Sequence, residues 1–264
     1  MSSVLMSRSP PSVDVTDDAV LGGRLQLLQP RRGHRFGHDA ILLAAATAAR
    51  SGDDAVDLGA GVGAAGLALA VRCAGVRVTL VEIDAALSSL AVENAARNKL
   101  ADRVSVATLD VAAPASKFAA AGLRSGTADR VLMNPPFNDA QRSRGSPDAA
   151  RKVAHVASEQ LLATWARVAL RLLRPSGVLT LIWRADALAD VLAALARDFG
   201  SLDVLPVHPK PGAPAIRVIV RAVKGSRAPL ALLPGFNLND EAGRPTAEAE
   251  AVLRSAEALP LTSD

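Results

Sequence analysis

The sequence predicts an α/β protein: a mostly parallel sheet of seven strands, with an antiparallel hairpin at one edge and helices on both faces. Three observations carry that prediction. From Asp54 onward, short apolar runs alternate with helical segments, the pattern of strands buried on both faces. A glycine-rich loop, "LGAGVG" at 58–63, joins the first of these strands to a helix. At 264 residues, half of them hydrophobic, the chain can bury one large core.

Taken in order, residues 1–15, with "SPPS" at 9–12, read as a loose tail. Residues 16–53 form an N-terminal cap. "VLGGRLQLLQP" places two apolar pieces around Gly22–Gly23, a small hairpin. "RRGHR" follows as a basic loop, and Asp39 is placed to N-cap an Ala-rich helix through Ala49. The main domain, 54–227, opens with strand 55–58 and helix 65–73, then strand 76–83 and helix 87–99. Strands 104–110 and 130–133 flank a Gly/Ser-rich stretch. Helix 158–173 is stopped by Pro175 and Gly177, and strand 178–183 and helix 187–199 follow. Strands 202–207 and 216–223 have no helix between them, hence the edge hairpin. Residues 228–264, with a helix around 246–257, read as an appendage.

Composition narrows the function classes. A net charge of +4 and a pI near 9.8 suit a polyanionic partner as well as a generic basic surface. Cys73 is the single cysteine, so neither an intrachain disulfide nor a cysteine zinc cluster can form. No His pattern suggests a metal or a catalytic triad; His38 and His155 read as structural. The opening "MSSVLMSRSPPSVDV" lacks an apolar h-region, and the longest apolar run, "AILLAAATAA" at 40–49, is too short to cross a bilayer. A cytoplasmic protein is expected.

Two stretches carry chemistry. In "VDLGAGVGAAG", Gly59, Gly61 and Gly63 sit between a strand and a helix N-terminus, where N–H groups are expected to face a ligand. Asp57 ends the strand before the loop. Glu82 ends the next strand, where a carboxylate can accept from both hydroxyls of a ribose. Gly61, Gly63 and Gly66 also satisfy G-x-G-x-x-G, so a nicotinamide enzyme is a competing reading. The acid at the leading edge of the loop favours S-adenosylmethionine, whose ammonium group Asp57 would bind and which has no phosphate to seat. Asp110, at the end of the third strand, is placed either to accept from the adenine amino group or to act as a plain cap.

The second stretch is "NPPF" at 134–137, directly after the apolar run Val131–Met133. Pro135 and Pro136 supply no N–H and cannot extend a sheet, so the strand ends in a stiff turn. That turn shows carbonyl oxygens, the Asn134 amide and the Phe137 ring, a set that accepts hydrogen bonds and stacks on a flat group. In a chain with five Phe, two Trp and no Tyr, such an aromatic is conspicuous. Trp165 and Trp183 fall within an apolar helix and strand and read as core.

With "DLGAGVGAAG", Glu82 and "NPPF", the sequence resembles a class I methyltransferase whose acceptor is a planar amino nitrogen. The longer stretch "LGGRLQLLQPRRGHRFGHDAILLAAA", "NPPF" and "RVIVRAVKGSR" is similar to the bacterial family of tRNA adenine-N6 methyltransferases that modify valine tRNA. The resemblance covers most of residues 16–235. It implies a Rossmann-like methyltransferase fold, S-adenosylmethionine as cofactor, and an adenine of an anticodon loop as acceptor. Ala60 and Ile83 join Asp57, Gly59, Gly61, Gly63, Glu82, Asp110 and Asn134 on the cofactor side. Asn134 and Pro135 would hold the amine, with Pro136 shaping the turn and Phe137 stacking on the base. Where related turns carry Tyr, this one has Phe. The turn is shared with glutamine and guanine-N2 methyltransferases, so the choice of adenine and tRNA rests on the longer resemblance.

RNA contacts are expected from Arg31, Arg32 and Arg35, from Arg142, Arg144, Arg151 and Lys152 after the turn, and from Lys224 and Arg227. Nothing points to an obligate protein partner. The non-enzymatic alternative, an RNA-binding module, leaves the intact "NPPF" turn without a role.

Overall fold

The structure is a computed structural model that describes residues 14–32, 35–136, 147–259 and 261, without the side chains of 147–156 and 158. An N-terminal hairpin, β1 (Val15–Val20) and β2 (Leu25–Pro30), pairs antiparallel around a tight turn at Leu21–Gly23. Helix α1 (His38–Ala46) follows, and then β3 (Asp54–Leu58), α2 (Ala64–Arg72), β4 (Arg77–Glu82), α3 (Ala85–Arg97) and β5 (Val104–Thr108). After α4 (Ala115–Ala120) come β6 (Ala128–Met133), α5 (Pro147–Leu172), β7 (Leu173–Arg184), α6 (Leu188–Leu195), β8 (Phe199–His208) and β9 (Arg217–Lys224). The chain closes with β10 (Ala231–Leu232), β11 (Phe236–Asn237) and α7 (Ala247–Arg254).

The main sheet runs β10-β8-β9-β7-β6-β3-β4-β5, with β11 also on β8. The β3, β4, β5, β6 and β7 pairings are parallel, and β9 alone runs against its neighbours β7 and β8. The seven expected strands are therefore present with the expected hairpin, and the two-residue β10 and β11 extend the sheet to nine. Its order reverses between β3 and β6, which opens a crevice at the carboxyl ends of those strands.

Several local expectations are corrected. Gly37, not Asp39, is the N-cap of α1, and the helix stops at Ala46 rather than Ala49. Asp39 instead sits in the first turn and pairs with Arg217. The stretch read as Gly/Ser-rich contains α4, which buries Phe118. Strand β7 starts at Leu173 and passes through Pro175 and Gly177, so those residues do not delay the strand. Residues 228–264 are more than an appendage: Ala249, Val252, Leu259 and Leu261 belong to the same apolar cluster as α1 and α2. Among the described residues no helix is long and apolar enough to cross a membrane.

The hairpin is locked in place by one side chain. Asn94 of α3, fully buried, accepts from the Leu28 N–H at 2.8 Å and donates to the Leu28 and Val62 carbonyls at 3.0 Å each. It thereby ties β2 to the glycine loop. Replacing it with alanine leaves three buried backbone groups unpaired, at about 1–3 kcal/mol for each such group. Asn94→Ala is expected to destabilise the fold by about 3 kcal/mol in urea unfolding, with faster amide exchange across residues 25–30.

Candidate active site

A cavity of ≈ 470 Å³ lies at the carboxyl ends of β3, β4, β5 and β6, closed on one side by the start of α1. Its floor is the glycine loop. Gly59 and Ala60 both donate to the Val81 carbonyl, at 2.8 and 2.9 Å, and Gly63 donates to the Ala60 carbonyl at 2.8 Å. Gly61 donates to Glu82 Oε2 at 2.8 Å. These four N–H groups are thus turned inward, contrary to the sequence expectation. What the loop offers the cavity is open space: Gly61 has φ +57°, and a Cβ there would meet nothing within 4 Å. A loop with its donors already engaged is poorly suited to a pyrophosphate, and the nicotinamide reading loses its main support.

The carboxylates are oriented by backbone. Glu82 accepts from Gly61 through Oε2 and from the Asp84 N–H through Oε1 at 2.9 Å, and each oxygen keeps a second acceptor position. Asp57 is only 2% exposed and accepts from the Gly66 N–H at 2.8 Å. Its pKa is pushed up to about 7, chiefly by burial; the Gly66 hydrogen bond opposes the shift and the Glu82 charge reinforces it. Asp110 lines the cavity, and its Oδ1 accepts from the Ala112 N–H at 2.8 Å, a local turn bond. Ile83 is 65% exposed and also lines the cavity.

The Asp57 shift has a definite sign. The folded state binds its proton over a range where the unfolded chain has already released it, so this group's contribution is full below pH 4 and lost as pH rises through about 7. Relative to Asp57→Asn, the melting temperature of the wild type is expected to fall between pH 5 and pH 8. Parallel curves for the two proteins would contradict this.

Asn134, Pro135 and Pro136 line the same cavity, and Phe137 lies outside the described residues. Asn134 Oδ1 is buried with no hydrogen-bond partner among the described residues. Trp165 of α5, read from sequence as core, is buried and yet lines the cavity. Its ring sits against Gly59, which has φ +70°. Phe36 and the ion pair Arg217–Asp39, at 2.8 Å, complete the wall at the α1 side. Sequence reading missed all four; for Trp165 the available signal was the scarcity of aromatics, while the Arg217–Asp39 pair spans 178 residues and has no local signature.

The candidate RNA residues divide. Arg31 pairs with Asp14, and Arg32 is exposed. Arg35 lines the cavity but is held by Asp18, Thr16 and the Pro30 carbonyl, so it also clamps the hairpin. Lys224 and Arg227 are corrected: β9 runs antiparallel, which places its end at the opposite edge of the sheet from the cavity. Lys224 there donates to the Leu170 and Leu173 carbonyls and caps the end of α5. Arg142, Arg144 and His155 lie outside the described residues or side chains, as do the side chains of Arg151 and Lys152. His38 opens α1.

Taken together, this sheet order, the crevice at its reversal and the acid-floored cavity define a class I, S-adenosylmethionine-dependent methyltransferase. The cofactor fits on three observations: the cavity volume, the open space over Gly61, and the two oriented oxygens of Glu82 that suit a ribose diol.

Comparison with known proteins agrees. Residues 36–209 match the model of the methyltransferase small domain, and the chain belongs to that family. It is 31% identical over 193 residues to a tRNA1(Val) (adenine(37)-N6)-methyltransferase of Bacteroides fragilis, covering 70% of this chain and 76% of that protein. A protein of the same name from Porphyromonas gingivalis is 32% identical over 165 residues, covering 60% of this chain and 61% of the other. The crystal structure of a protein described as a predicted O-methyltransferase, from Agrobacterium tumefaciens, superposes with a TM-score of 0.71 at 30% identity. It covers 84% of this chain and 98% of its own.

Proposed function

We propose that the protein methylates the exocyclic N6 amine of an adenine in tRNA, at an unpaired base of the anticodon loop. The observation that carries the amine is Asn134 Oδ1, a buried acceptor without a partner, on the cavity wall beside a turn that contains no N–H at Pro135 or Pro136. The turn is an edge made of acceptors, and an amino group is what satisfies it. Adenine and tRNA are supported by the names of the relatives in Bacteroides and Porphyromonas.

Bound S-adenosylmethionine supplies an electrophilic methyl group on a sulfonium centre. The protein's task is to make a poor nucleophile face it. An adenine amine is delocalised into its ring; Asn134 Oδ1 and the Pro135 carbonyl each accept one of its N–H bonds, which fixes the nitrogen and stabilises the positive charge that develops on it. A strong base is unnecessary, because alkylation itself acidifies the N–H. Phe137 would stack on the base, worth about 1–3 kcal/mol in single-stranded recognition. Taking the base from a loop rather than a duplex avoids most of the unpairing cost, which is on the order of a few kcal/mol.

The description of the Agrobacterium structure raises a hydroxyl acceptor as a second reading. A hydroxyl has one hydrogen to give to two acceptors and requires its proton removed, so it fits this turn less well. Labelled methyl transfer decides between them when unmodified tRNA, ribosomal RNA, bulk protein and small phenols are offered in parallel. Label in nuclease-sensitive tRNA is expected; label confined to phenols or protein would overturn the proposal.

A further inference from the structure

The carboxyl edge of the sheet is divided by charge. Read along the strand order, β5, β4 and β3 end at or near Asp110, Glu82 and Asp57. Next is β6, which ends at Asn134. Beyond it the side chains reverse sign: β7 ends at Arg184, β9 begins at Arg217, and the loop from β8 carries the exposed Lys210. Asn134 stands at the crossover.

The cationic half is a connected surface. Arg184 and Arg217 are register partners across β7 and β9, so they lie side by side on one face. Asp39 holds the Arg217 Nε at 2.8 Å, and Asp186 holds Arg184 through two bonds at 2.9 and 2.7 Å. The Asp186 carboxyl is held below its usual range, first by its bond to Arg184 and also by the charge of Arg217. These pairs are partly exposed, with 29% and 24% of the Arg217 and Asp39 side chains accessible and 37% and 67% of Arg184 and Asp186. Such pairs contribute little stability and leave guanidinium N–H groups able to meet another anion.

Distance fits the same reading. Strands lie about 4.8 Å apart, so Arg184 is one strand and Arg217 two strands, or roughly 10 Å, from Asn134. That span matches the reach of a nucleotide from its base to its flanking phosphates.

On the tRNA reading above, we propose that Arg184, Lys210 and Arg217 form the surface that docks the phosphates flanking the target base. The acid half then faces the cationic, hydroxyl-bearing cofactor and the basic half faces the polyanionic acceptor. This replaces Lys224 and Arg227, which lie at the far edge of the sheet.

Binding of unmodified tRNA, followed by fluorescence anisotropy across a series of salt concentrations, tests the surface. Each phosphate contact to a single strand adds about 0.7 to the slope of log affinity against log salt. The triple variant Arg184→Gln/Lys210→Gln/Arg217→Gln is expected to lower that slope by about 2, while Arg124→Gln, in the loop before β6 at the opposite edge, matches the wild type. Arg217→Lys, which keeps the charge, is expected to keep the slope. Donor affinity is measured in the same proteins and is expected to be unchanged. An unaltered slope in the triple variant overturns the proposal. So does a loss confined to donor affinity in Arg217→Gln, which would assign that residue to the cofactor. Because the assay reads binding, it separates the two readings: tRNA bound through this rim without methyl transfer defeats the proposed function alone, and full transfer with an unaltered slope defeats the docking surface alone.

Discussion

Asn134→Ala is expected to lower single-turnover methyl transfer by about 10²–10³-fold while leaving cofactor affinity within a few-fold of the wild type. The magnitude follows from removing one preorganised polar contact to a centre that becomes charged in the transition state. The same substitution deletes a buried oxygen that has no partner among the described residues. Burying an unpaired acceptor destabilises the resting protein, so its loss is expected to leave the melting temperature unchanged or raised. That combination, activity lost and stability kept, separates a catalytic Asn134 from one that only shapes the turn. A variant that retains transfer within a few-fold, or that loses activity together with several degrees of melting temperature, contradicts the role assigned here.

The second large effect is expected at the floor of the cavity. Gly59 has φ +70°, and a Cβ on it would fall inside the Trp165 indole, 2.9 Å from Cζ3 and nearer still to Cη2. Gly59→Ala therefore combines left-handed strain, about 1–2 kcal/mol, with overpacking of a buried ring, about 1–3 kcal/mol. The expected total is roughly 2–5 kcal/mol of stability, accompanied by weakened cofactor binding because the loop must shift. Trp165→Leu in the same chain removes the clash and is expected to restore part of the loss, a non-additivity that calorimetry measures directly. If Gly59→Ala alone yields no folded protein, the double variant still reports the coupling. Equal stability of the single and double variants would show that the ring does not press on the loop.

Both effects arise where sequence reading was partly blind. The alternation of strand and helix was legible because parallel strands buried on both faces must be continuously apolar, as in Val131–Met133. The turn at 134–136 was legible because two prolines cannot continue a ladder. Asp57 and Glu82 were found from their places at strand ends, but the raised pKa of Asp57 depends on a burial that only the folded sheet creates. The inward N–H groups of the glycine loop were not legible either, since spacing alone does not say which donors a neighbouring Val81 carbonyl and Glu82 side chain will take. Helix α4 was missed because its "PASKFAA" is short and owes its stability to burying Phe118. Clusters of basic residues were visible, yet the edge on which each falls follows from strand direction: antiparallel β9 carries Arg217 to the cavity and Lys224 away from it.

The most direct test of an amine acceptor in tRNA is nucleoside mass spectrometry after incubating unmodified tRNA with methyl-labelled S-adenosylmethionine and the wild-type protein. The result expected is label in N6-methyladenosine from an anticodon loop. Label in a ribose-methylated nucleoside, or none in tRNA from a protein that binds the cofactor, would contradict it.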